Sequence, residues 1–395
     1  MTQPAPRPAG AGRRAPLGDE AAGALAYQAE HQEQRAAAAA LAARAARRRR
    51  ALAMGRAVAG VALALYLFTV ALKLLSAAAP GVAVLLTHAS IDGVANLVGF
   101  GWLAAYGALS GSPVAALSLS LLDGGAIEAD GALAMLSGSR MGASLIVLLV
   151  GFVAYVRGRG RPDGVYVGVV ALLTTVIVYV PATAVGLWLL GTGVLDGPSA
   201  AVPTRWADLP AAASRPVVEP LADLLPGAGL FVLGVAALLG AFAVFDRILP
   251  NLDPPPPRFE RLSRRFRSAR AMFLFGAIVT SLTMSVSLSV TILVPLTLKG
   301  VVRRRDVVAY VMGANITTFL DTLFASLLLE AEAATPVVLA EMIAVTLVSA
   351  LVFLVAWRPF SEGILAVASR VSAQRSWLAG FLAVLFTVPA VLAVL

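Results

Sequence analysis

Residues 271–298 read AMFLFGAIVTSLTMSVSLSVTILVPLTL. This apolar run stands between two basic segments, Arg258 to Arg270 with six arginines, and Lys299 with Arg303, Arg304 and Arg305. Basic residues next to membrane spans stay on the cytoplasmic side, so both ends of the run belong there. Its 28 residues are too few for two full helical spans of about 20 residues each. The run therefore predicts a re-entrant helical hairpin that enters and leaves on the inner face.

The rest of the chain supports that setting. Of 395 residues 59% are hydrophobic and 13% charged, with a mean hydropathy of +0.85, more apolar surface than a soluble domain of this size hides in a core. Seven stretches reach spanning length: 58–79, 133–156, 164–190, 227–249, 307–329, 336–357 and 377–395. They must be helical, because a segment in lipid has to satisfy its own backbone groups. The lack of cysteine removes disulfides, thiolate chemistry and cysteine metal sites, and His31 and His88 are far apart in the sequence. No nucleophile, metal or nucleotide motif stands out, so the chain reads as a non-enzyme without a cofactor. The net charge of +9 comes from arginines at the ends of apolar spans. That distribution points to a lipid bilayer as partner and not to nucleic acid.

Charge also sets the topology. Residues 1–57 form a basic tail ending in Arg47 to Arg50, read as cytoplasmic and partly helical after Ala15; a signal peptide cleaved after Ala77-Ala78-Ala79 is the weaker alternative, because the leading tail is too long. Basic loops recur at Arg157, Arg159 and Arg161, then at 258–270, 299–305, and Arg358, Arg370 and Arg375. Acidic connectors lie at Asp123, Glu128 and Asp130, in 191–226, and at Glu330 and Glu332. The pattern obeys the positive-inside rule only if residues 82–122 enter and leave on the outer side, as a hairpin or as two short spans. The expected fold is therefore all-α and polytopic, with two inverted repeats carrying re-entrant hairpins. It comprises repeat 1 (58–190), an extracytoplasmic linker (191–226), repeat 2 (227–357), and a cytoplasmic connector with a C-terminal transmembrane helix (358–395). The expected location is the inner or plasma membrane, and a homodimer is left open. Inverted repeats with broken helices serve alternating access, with a site at mid-membrane.

The second half contains Thr280-Ser281-Leu282-Thr283-Met284-Ser285-Val286-Ser287-Leu288-Ser289, then Gly300, then Gly313-Ala314-Asn315-Ile316-Thr317-Thr318. The first half repeats the order more faintly, with Gly107 to Pro113, Gly124-Gly125 and Gly138-Ser139-Arg140-Met141-Gly142. Residues 60–357 thereby resemble the type II sodium/phosphate cotransporter family, whose repeats each carry a Gln-Ser-Ser-Ser hairpin and a Gly-Ala-Asn-Ile-Gly-Thr-Thr helix start. The chain departs from it at Met284, Val286, Gly111, Pro113 and Val114, and lacks one residue of the second motif. The resemblance implies a secondary transporter moving phosphate or a related small inorganic anion, with sodium as the coupling ion. It assigns Ser110, Ser112, Ser285, Ser287, Asn315, Thr317 and Thr318 to the substrate, and Asn315 and Ser287 also to the ion. Hairpin tips suit this chemistry, since free N–H groups and hydroxyls replace an anion's lost hydration. Oxygens at unwound points can hold a cation.

Two charges stand apart. Asp321 lies deep in the stretch 307–329, where a carboxylate is costly and marks a coupling-ion or proton site, or a structural ion pair. Arg140 stands where the family has Asn in repeat 1. It faces the anion as a fixed counter-charge, pairs with Asp321, or escapes to the outer surface; the reading adopted is reach of both Ser112 and Asp321. Single serines serve packing as readily as ligation. Lys73 and Arg247 read as snorkelling residues, Asp246 as a local partner, and Asp92 is ambiguous. The rival reading is a transport-inactive relative kept as a membrane scaffold or regulatory partner.

Overall fold

A methyl group added to Gly101 or Gly138 would overlap the backbone carbonyl of Met135 or Val98, and one added to Gly276 or Gly313 would overlap that of Tyr310 or Phe273. These glycines let two helix pairs cross in backbone contact at the centre of the protein. The computed structural model describes residues 17–88, 91, 93–156, 163–195, 204–248, 268–298 and 301–395. Among them every regular element is helical and no strand occurs. They fall into two compact units, residues up to Gly60 and Val61–Leu395. The first is helical from Leu17, with Arg47, Arg48 and Arg49 exposed. The second holds the site described below.

The first half of the chain forms α1 (Leu17–His88), α2 (Val94–Ala108), α3 (Ser112–Asp123), α4 (Ala129–Ala143), α5 (Leu145–Val156) and α6 (Asp163–Gly191). Then come α7 (Thr204–Leu224), α8 (Gly227–Ile248), α9 (Ala269–Thr283), α10 (Val286–Thr291), α11 (Leu293–Leu298), α12 (Arg304–Thr317) and α13 (Phe319–Ser326). Helix α14 (Ala334–Leu351) continues through a π-helical segment, Val352–Ala356, into α15 (Trp357–Ala373), and α16 (Arg375–Leu392) closes the chain.

Seven helices are long and apolar enough to cross a membrane: Ala46–His88, Ala129–Val153, Gly164–Gly191, Gly227–Phe245, Arg304–Ser326, Ala334–Ala373 and Arg375–Leu392. They fall one for one on the seven apolar stretches of the sequence. Three boundaries differ. The first helix runs on to His88, so the next helical pair begins at Val94 and not at residue 82. The stretches 133–156 and 307–329 each hold two helices end to end, broken at Ser144 and Thr318, whose hydroxyls find partners outside their own helices. The linker 191–226, read as a loop, carries α7, whose Val218 and Leu221 pack on Val70, Leu74 and Leu230.

The run 271–298 is not one straight helix. Helix α9 ends at Met284 in the left-handed region (φ 48°), and α2 ends at Leu109 in the same way (φ 49°). A left-handed turn reverses the chain without glycine's freedom, at a cost of roughly 1–2 kcal/mol. Ser285 then restarts the helix, its hydroxyl accepting the Leu288 N–H at 3.2 Å. The crossing glycines, the carbonyls they face and the left-handed caps recur at a constant offset: 101 and 276, 138 and 313, 98 and 273, 135 and 310, 109 and 284 are all 175 positions apart. Helix α6 stands between the two crossed pairs, and α16 is fixed to α2 by the Tyr106 hydroxyl donating to the Leu385 carbonyl at 2.9 Å.

Candidate functional site

Arg140 is carried by α4 one turn after Ser137, and only 4% of it is exposed. Its Nη1 donates to Thr318 Oγ1 at 3.1 Å and to Ser112 Oγ at 3.4 Å. Its Nη2 donates to Asp321 Oδ1 at 3.2 Å and to Thr322 Oγ1. The guanidinium carbon lies 5.2 Å from the centre of the Phe319 ring, within cation–π range. Asp321 is 8% exposed, and its Oδ1 also accepts the Thr322 N–H at 2.6 Å and the Thr322 hydroxyl at 2.9 Å. Asp321 Oδ2 and Arg140 Nε are buried with no partner. The pair is thus joined through one carboxylate oxygen, short of the bidentate geometry that best offsets the desolvation of both ions.

Asp321 also borders a cavity of about 200 Å³ that both left-handed turns reach. Ser110 and Ser112 line it from the first turn, and Thr283, Met284 and Ser285 from the second. Its remaining walls are apolar, with Phe68, Phe242 and Phe324 among them. Four hydroxyls and one carboxylate therefore converge in an otherwise apolar chamber, with Arg140 behind Ser112 and Asp321. Such a chamber suits a small charged solute held by few, well-aimed polar groups.

The residues singled out in the sequence separate here. Ser110, Ser112, Ser285 and Asp321 line the cavity, and Arg140 and Thr318 form its charged backing. Asn315 stands behind that layer: its Nδ2 donates to Thr175 Oγ1 at 3.2 Å and its carbonyl accepts the Tyr179 hydroxyl at 3.1 Å. It borders a second, nearly closed space of about 10 Å³ beside Arg140, too small for more than a water. Thr317 does not reach the cavity. Its hydroxyl donates to the Ala277 carbonyl at 2.9 Å, tying α12 to α9, because the 175-residue register puts it opposite the crossing. Ser287 belongs to α10, with its side chain outside the described residues, as are Asp92 and the side chain of Asp246.

Lys73 is not simply a snorkelling residue. Its Nζ lies 2.8 Å from Glu330 Oε1 and 3.8 Å from Asp123 Oδ2. Asp123 in turn accepts the Ser76 hydroxyl at 2.7 Å and the N–H groups of Glu330 and Ala331 at 2.7 and 2.8 Å. These contacts clamp α1, the end of α3 and the 327–333 turn together, a partnership no local spacing announces. Sequence reasoning also missed Thr322 and Phe319, which cradle the guanidinium, and Glu341, a lone carboxylate within the stretch 336–357. Glu341 carried a legible signal, the same one that marked Asp321. Among the described residues no group of three or more His, Cys, Asp or Glu side chains converges as a metal site. No family model, curated protein or solved structure matches the chain.

Proposed function

We propose that this protein is a secondary transporter, built from two inverted repeats with re-entrant hairpins, that moves phosphate or a related small inorganic anion together with a cation. The observation that carries the proposal is the buried Arg140–Asp321 pair beside a cavity lined by two matching left-handed turns. The constant 175-residue register supports the repeat, and the reversed charge of the flanking loops supports its inversion. The resemblance of the two hydroxyl-rich segments to sodium/phosphate cotransporters supports the substrate class.

The geometry provides a coupling rule. An anion entering between Ser112 and Thr318 competes with Asp321 for the guanidinium, whose planar fork matches tetrahedral oxyanions. Once released, the Asp321 carboxylate is left buried and unpaired, a cost of about 3–5 kcal/mol. A cation at Asp321, sodium or a proton, removes that cost. Each ion of the internal pair is thus exchanged for a transported one, and neither transported ion binds well alone. In the empty carrier the internal pair keeps the site neutral.

The rival reading, an inactive scaffold, is favoured by one observation: the two charges already satisfy each other without a ligand. Uptake of labelled phosphate into liposomes containing the purified protein separates the two. The transporter reading expects uptake driven by an inward sodium or proton gradient and abolished in Arg140→Gln and in Asp321→Asn. Uptake equal to that of empty liposomes under both gradients would sink it.

A further inference from the structure

Glu341 is the only charged residue of α14, and it is fully buried, with 0% exposure. Its Oε1 lies 2.5 Å from Ser137 Oγ, while Oε2 has no partner. Gly186 of α6 leaves room for Oε2: a methyl there would stand 3.0 Å from that oxygen. Among the described residues no lysine or arginine lies within 4 Å of the carboxyl. The groups that face it are few. Helix α4 brings Arg140, one turn from Ser137, and α6 brings Tyr179, whose hydroxyl is engaged by the Asn315 carbonyl. The Asp321 of α13 is held by Arg140; α12 carries Tyr310, bonded to Ser289, and α3 carries Asp123, clamped to Lys73.

An ionised carboxylate in this position has one hydrogen bond and no contacting cation, an arrangement that apolar surroundings penalise heavily. A neutral carboxyl fits the same atoms better. With the proton on Oε1 it donates to Ser137 Oγ, and Oε2 becomes a carbonyl oxygen, the kind of buried acceptor that tolerates under-use. When the proton leaves, the Ser137 hydroxyl rotates and donates to Oε1, so one serine serves both forms. The nearest positive charge is Arg140, which favours the ionised form as long as it is not neutralised by more than Asp321.

We infer that Glu341 is a proton-binding site whose occupancy is linked to the charge state of Arg140. A second anion on Arg140 makes the neighbourhood more negative, and Glu341 then takes up a proton: carboxylate plus proton becomes carboxyl, with no other bond changed. By reciprocity, protonation of Glu341 strengthens anion binding. The proton site stands on the Glu341 geometry alone, whereas its link to an anion rests on the proposed transport reading.

Infrared difference spectroscopy of the purified protein, titrated over the pH range in which it stays folded, tests the site directly. A carboxyl carbonyl band that appears on acidification, disappears in Glu341→Gln and moves its midpoint in Ser137→Ala is expected. Glu341→Gln keeps the shape and a hydrogen bond to Ser137, and a melting scan identifies any variant that fails to fold. A titrating band unchanged by Glu341→Gln, or no carboxyl band assignable to Glu341 at any pH, overturns the inference. The linkage arm uses inorganic phosphate: wild-type affinity above the midpoint should fall by up to about tenfold per pH unit relative to Glu341→Gln. Phosphate binding with the same pH dependence in both proteins overturns the linkage. A Glu341 band that titrates in a protein that binds no phosphate upholds the proton site and removes the transport reading instead.

Discussion

At the scale of single residues the Arg140–Asp321 pair makes a sharp energetic claim. Both side chains are buried, so removing one leaves the other without its counter-charge at a cost of about 3–5 kcal/mol, whereas removing both at once is close to neutral. Arg140→Gln and Asp321→Leu should each lower the melting temperature in detergent, and the double variant should recover most of the loss. A double variant that melts as low as the sum of the singles would show that the two charges act independently. Both residues were legible in the sequence because a charge within an apolar stretch has no cheap structural excuse. Their partners were not: Thr322 and Phe319 are ordinary helix residues until α13 starts at Phe319 and turns them toward the guanidinium. Motif analogy fared unevenly, since Asn315 and Thr317 occupy motif positions yet spend their polar atoms on α6 and α9.

At the scale of helices the crossing glycines decide stability. Leucine at Gly313 or Gly138 would drive a side chain into the backbone of the partner helix, with no flexible atom to yield. Overpacking of this kind costs about 1–3 kcal/mol even where side chains can move. Gly313→Leu and Gly138→Leu should therefore abolish a monodisperse peak in size-exclusion chromatography, while Gly107→Leu, with open space around it, should not. Apolar length made the spans readable, but the breaks at Ser144 and Thr318 were invisible because neither Gly nor Pro marks them.

The Lys73–Glu330 clamp adds a pH-dependent element. Its hydrogen bond to Lys73 holds the Glu330 carboxyl below the ordinary carboxylate range. A lowered folded-state value means that the stabilisation is complete above the unfolded-state value and is lost as pH falls through the folded one. Glu330 is largely exposed, so the effect is small. Wild type should melt slightly above Glu330→Gln at neutral pH, and the gap should close in acid; a gap that widens on acidification would reverse the assignment.

For the whole molecule, the inverted-repeat reading makes a claim about sidedness that helix positions alone do not. Both ends of α2–α3 should open to the outer face, and both ends of α9–α11 to the inner face. The absence of native cysteine makes each introduced thiol a clean reporter. Ile91→Cys and Glu128→Cys flank the first segment, and Ser268→Cys and Arg305→Cys flank the second, with Glu128, Ser268 and Arg305 exposed. In intact cells a membrane-impermeant maleimide should label the first two, whereas the last two should react only after permeabilisation. If the residues flanking either segment label from opposite sides, that segment is a full crossing and the two halves are not inverted. The outcome bears on coupling as well. Arg140 comes from α4 and Asp321 from α13, one from each proposed repeat, so the internal ion pair spans the seam along which alternating access would move. A site assembled from both repeats changes its contacts whenever one rocks against the other, which lets ion exchange at the pair bias the direction the cavity faces. Were the halves parallel, the same pair would remain a structural staple, and exchange at it would have no motion to drive.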